Sequence, residues 1–519
     1  MDKLIRRSVF ALVMAAIGFL VYEAYILLMQ SAFFEQAFMA GLRTFISWGF
    51  AVYIFLIGLV ILIENKNPSK TISWLLVLYL LPFVGFVFYI LFGGHYRERY
   101  RTKQKKSGDY PRSNMENAAE IQKEIMDYIE LFRGEEDAVN NRMVNLLLKN
   151  SNAPFTINNR IEVLTNGEAT FDRIFERIRG AKEHIHVEFF IIRNDELGNA
   201  FKDLLIMKAQ EGVEVRLIYD SVGCWKLGKA YIEDLKNSGI EVFPFFPVSF
   251  PVLSRELNYR NHRKIVIVDG HTGFLGGHNV GDEYLGKLHL GFWRDTHILM
   301  EGEAVYSLQD VFLNDWAFAS GKDVKLDGMF PKLASYGETM TQVISSGPDS
   351  DWKTILQAYF VMISSAEDRI WIASPYLVPE ESIKMGLITA ALSGVDVRII
   401  IPSKPDHFFV YWSTQDNLEE LLEAGVKVYE YQKGFIHSKI LLMDGVAASV
   451  GTANLDIRSL EMNFEVNAFI YDPAVVRRLE EDFYRDMEDS NLLNYDKFKK
   501  RPFRRKLLEA LGRLVSPLQ

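Results

Sequence analysis

The chain has 519 residues, too many for one ordinary domain of roughly 100 to 200 residues, so two or more globular units are expected. Hydrophobic residues make up 49% and charged residues 24%, while 58 basic against 67 acidic side chains leave a net charge of −9, which excludes a generally polyanion-binding surface. One cysteine, Cys224, excludes an intramolecular disulfide and any zinc site built on several thiolates.

Apolar residues concentrate in the first 92. Segments 44–63 and 71–92 carry no charge and run for 20 and 22 residues, enough to cross a hydrocarbon core of about 30 Å. A third segment, 8–29, contains only Glu23 and follows Lys3, Arg6 and Arg7; lacking a clear small-residue cleavage site, it reads as an anchor and not a signal peptide. The basic block from Arg97 to Lys106 then holds the rest of the chain in the cytoplasm by the positive-inside rule, which makes 8–29 re-entrant or interfacial. Residues 1–95 are accordingly expected to form a transmembrane helical region, and 96–153 a basic and polar linker.

Beyond the linker, short β-branched runs alternate with helical periods, the pattern of α/β units, and they do so twice. HIHVEFFIIRND from His184 parallels RIWIASPYLVPE from Arg369; EGVEVRLIYD from Glu211 parallels SGVDVRIIIP from Ser393; LKNSGIEVFPF from Leu235 parallels LLEAGVKVYEY from Leu421. The offset stays between 182 and 186 residues, which argues for two homologous halves, 154–330 and 331–495, with a shared site at their seam.

A further repeated block carries the polar residues. NHRKIVIVDGHTGFLGGHN contains His262, Lys264, Asp269 and Asn279; IHSKILLMDGVAASVGTAN contains His437, Lys439, Asp444 and Asn454. Both read H-x-K-x4-D-x6-G-x-x-N, a coincidence rarer than about one in a thousand at ordinary composition. IVIV and ILLM read as buried strands, so each His and Lys, two apart, share a face. Each Asp, seven after its His, falls on the opposite face or in the next turn and is expected to organise backbone or hold a basic group, away from substrate. Small residues (Gly276 and Gly277; Gly451 and Thr452) let the backbone approach a bulky anion before Asn279 or Asn454 reaches into the site. Paired histidines beside lysines suit phosphoryl chemistry without a metal: one imidazole attacks while its twin donates a proton, and the lysines face the charge on phosphate oxygens.

Other features are read as structural. Gly281 to Lys287 fits G-x4-G-K, but Leu288 stands where a nucleotide loop needs Ser or Thr. His184, His186 and Glu188 read as core or seam, His297 as packing, and Phe189, Phe190, Tyr376, Tyr411 and Trp412 as core or acyl groove alike. The basic end, 496–519, sets Leu507, Leu508, Leu511, Leu514 and Val515 on one helical face, either docked on the core or pressed on anionic lipid.

With its two motifs the sequence resembles the phospholipase D superfamily, whose duplicated HKD motif has this spacing, and within it the bacterial cardiolipin synthases. The closer likeness rests on WLLVLYLLPFVGFVFYILFG, GGHNVGDEY, FWRDTH, GFIHSK, GTANLDIRS with NFE, and the RPF...LLEALGRLVSPL ending, and covers nearly the whole chain. The resemblance implies two α/β/α halves sharing one site in a single polypeptide, no cofactor, phosphatidylglycerol and anionic membrane lipid as partners, and a multi-pass enzyme of the bacterial cell membrane. It implies that one histidine attacks phosphatidylglycerol to form a phosphatidyl-histidine while the other protonates departing glycerol; the symmetry of the motifs permits either order, and His262 is taken as nucleophile with His437 as acid and base. A downstream carboxylate is expected to orient each histidine; Glu465 and, across an insertion, Asp295 are the candidates. Gly277 stands where many relatives carry a serine. A hydrolytic phospholipase D or a phosphatidylserine synthase would use the same motifs, and a nucleic-acid phosphodiesterase is disfavoured by the membrane segments and net charge.

Overall fold

The computed structural model describes residues 37–64, 68–81, 138–151, 153–247, 259–287, 291–322, 326–404 and 406–515, with isolated residues between 18 and 26 and at 85 and 89. It divides into two compact units, one of residues 1–98 with 249–258 and one of the remainder.

The smaller unit holds α1 (Ala37–Glu64) and α2 (Pro68–Leu80). Ile57, Ile61 and Leu78 are buried where these helices meet, whereas Phe45, Trp48, Phe55, Ile72, Leu76 and Tyr79 are exposed. Among the described residues no helix is long and apolar enough to cross a membrane. Within 71–92 the described helix α2 runs to Leu80, and the Leu81 amide still donates to the Val77 carbonyl (2.9 Å) and the Gly85 amide to the Leu81 carbonyl. The stretch 44–63 lies inside the 28-residue α1. Most of 8–29 and all of Arg97 to Lys106 lie outside the described residues.

The larger unit is α/β throughout. Its first described element is α3 (Ala138–Ser151), inside the stretch 96–153; Met143, Val144, Leu147 and Leu148 insert into the core of the second half beside Ile344, Ile355 and Met362. The first half then runs β1 (Asn159–Thr165), α4 (Asn166–Gly180), β2 (His184–Phe189), α5 (Glu196–Gln210), β3 (Glu214–Asp220), α6 (Lys229–Asn237), β4 (Glu241–Phe245), β5 (Lys264–Val268), β6 (Thr272–Gly276), β7 (Phe292–Arg294), β8 (Thr296–Gly302) and α7 (Ala304–Ser320). Its sheet has the order β1-β8-β6-β5-β2-β3-β4, parallel from β2 to β4 and antiparallel elsewhere.

The second half runs β9 (Thr341–Ser346), α8 (Thr354–Ser365), β10 (Arg369–Ala373), β11 (Leu377–Val378), α9 (Glu381–Leu392), β12 (Asp396–Pro402), α10 (Phe408–Glu423), β13 (Lys427–Tyr431), β14 (Gly434–Ile436), β15 (Ile440–Met443), β16 (Ala447–Gly451), β17 (Leu455–Asp456), α11 (Ile457–Glu461), β18 (Glu465–Ile470) and α12 (Pro473–Glu488). The order β9-β18-β16-β15-β10-β12-β13 repeats the first sheet strand for strand, and β19 (Ser490–Leu492) adds an edge. Two short helices close the chain, α13 (Tyr495–Lys499) and α14 (Phe503–Val515). The duplication extends to its turns: Gly212 before β3 and Gly394 before β12 both take positive φ, +93° and +98°, which a glycine adopts without the cost of a Cβ.

Apolar helix faces cover the sheets. Phe171, Ile174 and Ile178 of α4 and Phe201 and Leu205 of α5 close on Val187, Leu217 and Val266; Ile355, Met362, Ile383 and Leu418 do the same for the second sheet. The halves then join through β6, β8, β16 and β18, through the parallel pair β7–β14, and through Asn261 bridging to Phe464.

Candidate active site

Each motif histidine sits just ahead of a buried central strand and is pinned there by the other half. The His262 amide donates to the Phe464 carbonyl (2.9 Å), and the His437 amide donates to the Arg294 carbonyl (2.7 Å). The residue after each of those carbonyls is an acid. Consequently Glu465 faces His262 and Asp295 faces His437: Nδ1 to Oε2 is 3.0 Å in the first pair and Nδ1 to Oδ2 is 2.7 Å in the second. Both candidate carboxylates are completely buried, and each serves the histidine of the opposite half.

A carboxylate on Nδ1 sets the tautomer, leaving the lone pair on Nε2. Aromatic edges hold the rings, with Phe190 4.9 Å from His262 and Trp293 5.1 Å from His437 between centroids. Lys264 and Lys439 are buried beside them. Lys264 Nζ donates to the His262 carbonyl (2.6 Å) and Lys439 Nζ to the His437 carbonyl (2.5 Å). Lys439 Nζ also lies 2.8 Å from His437 Nδ1, but that nitrogen gives its proton to Asp295, so the ammonium spends its hydrogens on the carbonyl.

Burial dominates the electrostatics. It pushes His262 down to about 4 against the pull of Glu465, and with Lys439, Lys264 and His262 it keeps His437 well below the usual imidazole range. Burial alone would raise Glu465, but His262, Lys264 and the Thr452 hydroxyl outweigh it and hold the carboxyl low. Burial also lowers Lys264 to about 7 and Lys439 to about 8. Burial therefore favours the neutral form of both imidazoles and weakens the hold of both lysines on their charge. An arriving phosphodiester anion reverses this balance by favouring every protonated form.

The motif aspartates lie at the other end of the strands, roughly 16 Å of strand away. Asp269 accepts from the amides of Lys182, Glu183 and His184, and Asp444 from those of Glu367, Asp368 and Arg369. Both take φ of +51°, a conformation that non-glycine residues rarely adopt, held here by three amides apiece. Asn279 lies at the end of the first motif, bound to its neighbours. Its Oδ1 accepts from the Ile191 amide (3.0 Å) and its Nδ2 donates to the Tyr284 hydroxyl (3.1 Å), because Val280 bridges to Ile192 and draws the loop that way. Asn454 differs from it, since its Oδ1 is buried without a partner.

Several supporting residues escaped the motif reading. Thr452 donates its hydroxyl to Glu465 Oε2 (2.5 Å), Asn463 Nδ2 donates to Oε1 (3.2 Å), and Arg263, ion-paired with Asp315, donates to the Glu465 carbonyl (3.2 Å). Behind Asp295, Arg294 pairs with Asp486 (2.7 Å) and reaches Thr296 and Ser438. The only hint in the sequence was position: Arg263 and Ser438 stand between the His and Lys of their motifs. The other features have local partners. Lys287 pairs with Glu196 (2.7 Å), and His186 meets Gln309 (2.9 Å) and Arg216 (3.2 Å). Among the described residues no group of three His, Cys, Asp or Glu is arranged to hold a metal ion.

Comparison with known proteins agrees with this geometry. The family described as "Cardiolipin synthase, PLD-like domain" matches residues 174–316 and 359–487, and "Phospholipase_D-nuclease N-terminal" matches 51–94. A cardiolipin synthase 2 of Bacillus anthracis is 47% identical over 481 residues, covering 90% of each chain. A cardiolipin synthase of a Geobacillus species (strain WCH70) is 44% identical over 523 residues, covering all of both. Among solved structures, the phosphatidylserine synthase of Haemophilus influenzae superposes with a TM-score of 0.57 at 16% identity, covering 73% of this chain and all of that one, a likeness of fold. With both halves matched and relatives aligned from end to end, the chain belongs to the bacterial cardiolipin synthase family of the phospholipase D superfamily.

Proposed function

We propose that this phosphatidyltransferase joins two molecules of phosphatidylglycerol into cardiolipin and glycerol by way of a phosphatidyl group carried on one imidazole. The observation that carries the reading is the crossed pair of contacts, His262 to Glu465 and His437 to Asp295, which leaves two Nε2 atoms with lone pairs in one site. In the first step the phosphodiester anion favours the imidazolium form of His437, which carries a proton on Nε2; His262 Nε2 bonds to phosphorus, the bond to the glycerol oxygen breaks, and His437 delivers that Nε2 proton to the glycerol oxygen. In the second, His437 takes the proton from a hydroxyl of another phosphatidylglycerol, whose oxygen bonds to phosphorus as the bond to His262 breaks. One phosphodiester replaces another, so the transfer is reversible. The attacking role of His262 is supported by its better-held carboxylate: a phosphorylated imidazole carries positive charge, and Glu465 has Thr452 and Asn463 to keep it ionised in position. Lys264 and Lys439 regain full charge beside the phosphate and stabilise its oxygens. Asn454 adds an amide at the same edge, while Asp269 and Asp444 hold the backbone.

The exposed aromatic faces of α1 and α2 support a role for residues 1–95 in holding the enzyme at the bacterial cell membrane, and the block from Arg97 to Lys106 supports a cytoplasmic site. A reporter fused after Gln519 should be active only in the cytoplasm. For the reaction, the detergent-solubilised chain given phosphatidylglycerol alone should yield cardiolipin and glycerol in equal amounts; phosphatidic acid, or no turnover, overturns the reading. Acid-free quenching with labelled lipid should leave label on the peptide containing His262, and label on His437 would reverse the two roles.

A further inference from the structure

We propose that the outward face of α14, with the first turn of α10, is a docking surface for an anionic lipid bilayer. The helix is amphipathic, yet it packs the unusual way round. Its polar side faces the protein: Glu509 is buried and ion-paired with Arg501 (2.7 Å), Arg501 also reaches Glu419 (2.6 Å), and Arg505 donates to Gln415 (2.6 Å). Gly512 lies so close to α10 that a Cβ there would come within 2.7 Å of the Ser413 nitrogen, and the Ser413 hydroxyl donates to its carbonyl (2.8 Å). The apolar stripe at i, i+4 and i+8 points away, with Phe503 79%, Leu507 49% and Leu511 50% exposed. Phe408 and Phe409, also exposed, lie one turn from Trp412, against which Gly512 packs.

A helix that spends its charges on the protein and turns its leucines outward needs an apolar medium on that side. The surrounding charge identifies the medium. From Lys497 to Arg513 the exposed ionisable side chains are Lys497, Lys499, Lys500, Arg504, Lys506 and Arg513, all basic, on a chain whose net charge is −9. Basic side chains rimming an apolar stripe match the headgroups and acyl region of an anionic leaflet. The choice of partner rests on the lipid chemistry proposed for the site, and the experiment keeps the two apart.

The full chain is reconstituted in nanodiscs of phosphatidylglycerol with brominated acyl chains, carrying an environment-sensitive dye on Leu507→Cys or Leu511→Cys; native Cys224 is buried. The dye should be quenched by the bromines, and more weakly in brominated phosphatidylcholine. An unquenched dye overturns the proposal, as does energy transfer between copies without quenching, which would mark a protein interface. Equal quenching in both lipids overturns the assigned preference for anionic lipid. Cardiolipin without quenching sinks the docking surface alone, and quenching without cardiolipin sinks the transfer reaction alone. The triple substitution Phe503→Ser, Leu507→Ser, Leu511→Ser should raise the apparent KM on phosphatidylglycerol vesicles about tenfold and leave turnover of dispersed short-chain substrate unchanged; equal loss on both substrates counts against it.

Discussion

The two halves share one topology but support their acids differently. In the second half Thr452 follows Gly451 and its hydroxyl bonds Glu465; in the first, Gly277 occupies the same place, and a Cβ there would collide with Asp295 Oδ1. The shorter acid lies against the residue without a side chain, and the longer acid against the residue with a donor. Duplication has preserved the positions of the histidines while the carboxylate and its neighbour changed together. Because each acid serves the opposite histidine, the asymmetry gives His262 the more heavily bonded carboxylate and His437 the one held mainly by the Thr296 amide.

The largest test of this comparison is whether both imidazoles are needed. His262→Ala and His437→Ala should each lower cardiolipin formation by about a thousandfold or more in a purified, folded protein, since each histidine acts in both steps; retained turnover in either variant refutes a two-histidine site. Next comes the position that distinguishes the halves. Gly277→Ser should displace Asp295 and cost about a hundredfold in kcat, whereas Thr452→Ala, which removes one donor and leaves the acid in place, should cost about tenfold. The reverse ranking would mean that the hydroxyl matters more than the space. Where the halves are alike, the effects should be equal: Asp269→Ala and Asp444→Ala each orphan three amides and should lower stability to urea by about 2–4 kcal/mol, with the specific activity of the folded fraction unchanged.

The smallest effect concerns pH. Burial holds His184 and His262 at about 4, His278 and His297 at about 3, and His186 and His437 well below the usual value. Below pH 6.5 the unfolded chain takes up protons that the folded chain refuses, so the stability these groups confer is complete above about 6.5 and falls progressively toward pH 4. Five of the six belong to the first half. Hydrogen exchange followed from pH 7 to pH 4 should therefore show the first sheet opening before the second; simultaneous opening would deny the two halves different acid tolerance.

Much of the site was legible because its chemistry is local. His262 and Lys264, or His437 and Lys439, share a face through the two-residue period of a strand, and Asp269 and Asp444 fall out of that face at the turn. The family resemblance also pointed to both carboxylates, even past the insertion before Asp295. The partners of Asn279, the Ile191 amide and the Tyr284 hydroxyl, follow from a loop path that no spacing reveals. The four buried apolar residues of α3, spaced i, i+1, i+4 and i+5, were a readable helical stripe masked by the polar residues around them.

The sequence by itself determined the duplicated α/β unit, the two histidine–lysine pairs and the acids available to them, since periodicity and repetition act over a few residues or at a constant offset. Only the tertiary structure decided which acid serves which histidine, because Glu465 lies 203 residues from His262 and Asp295 lies 142 from His437, and the pairing exists only where β7 meets β14 and Asn261 meets Phe464. It also decided which way the last helix faces. An amphipathic pattern fixes two sides of a cylinder, but whether the charged or the apolar side meets the protein depends on what α10 offers, and α10 offers Ser413, Gln415 and Glu419.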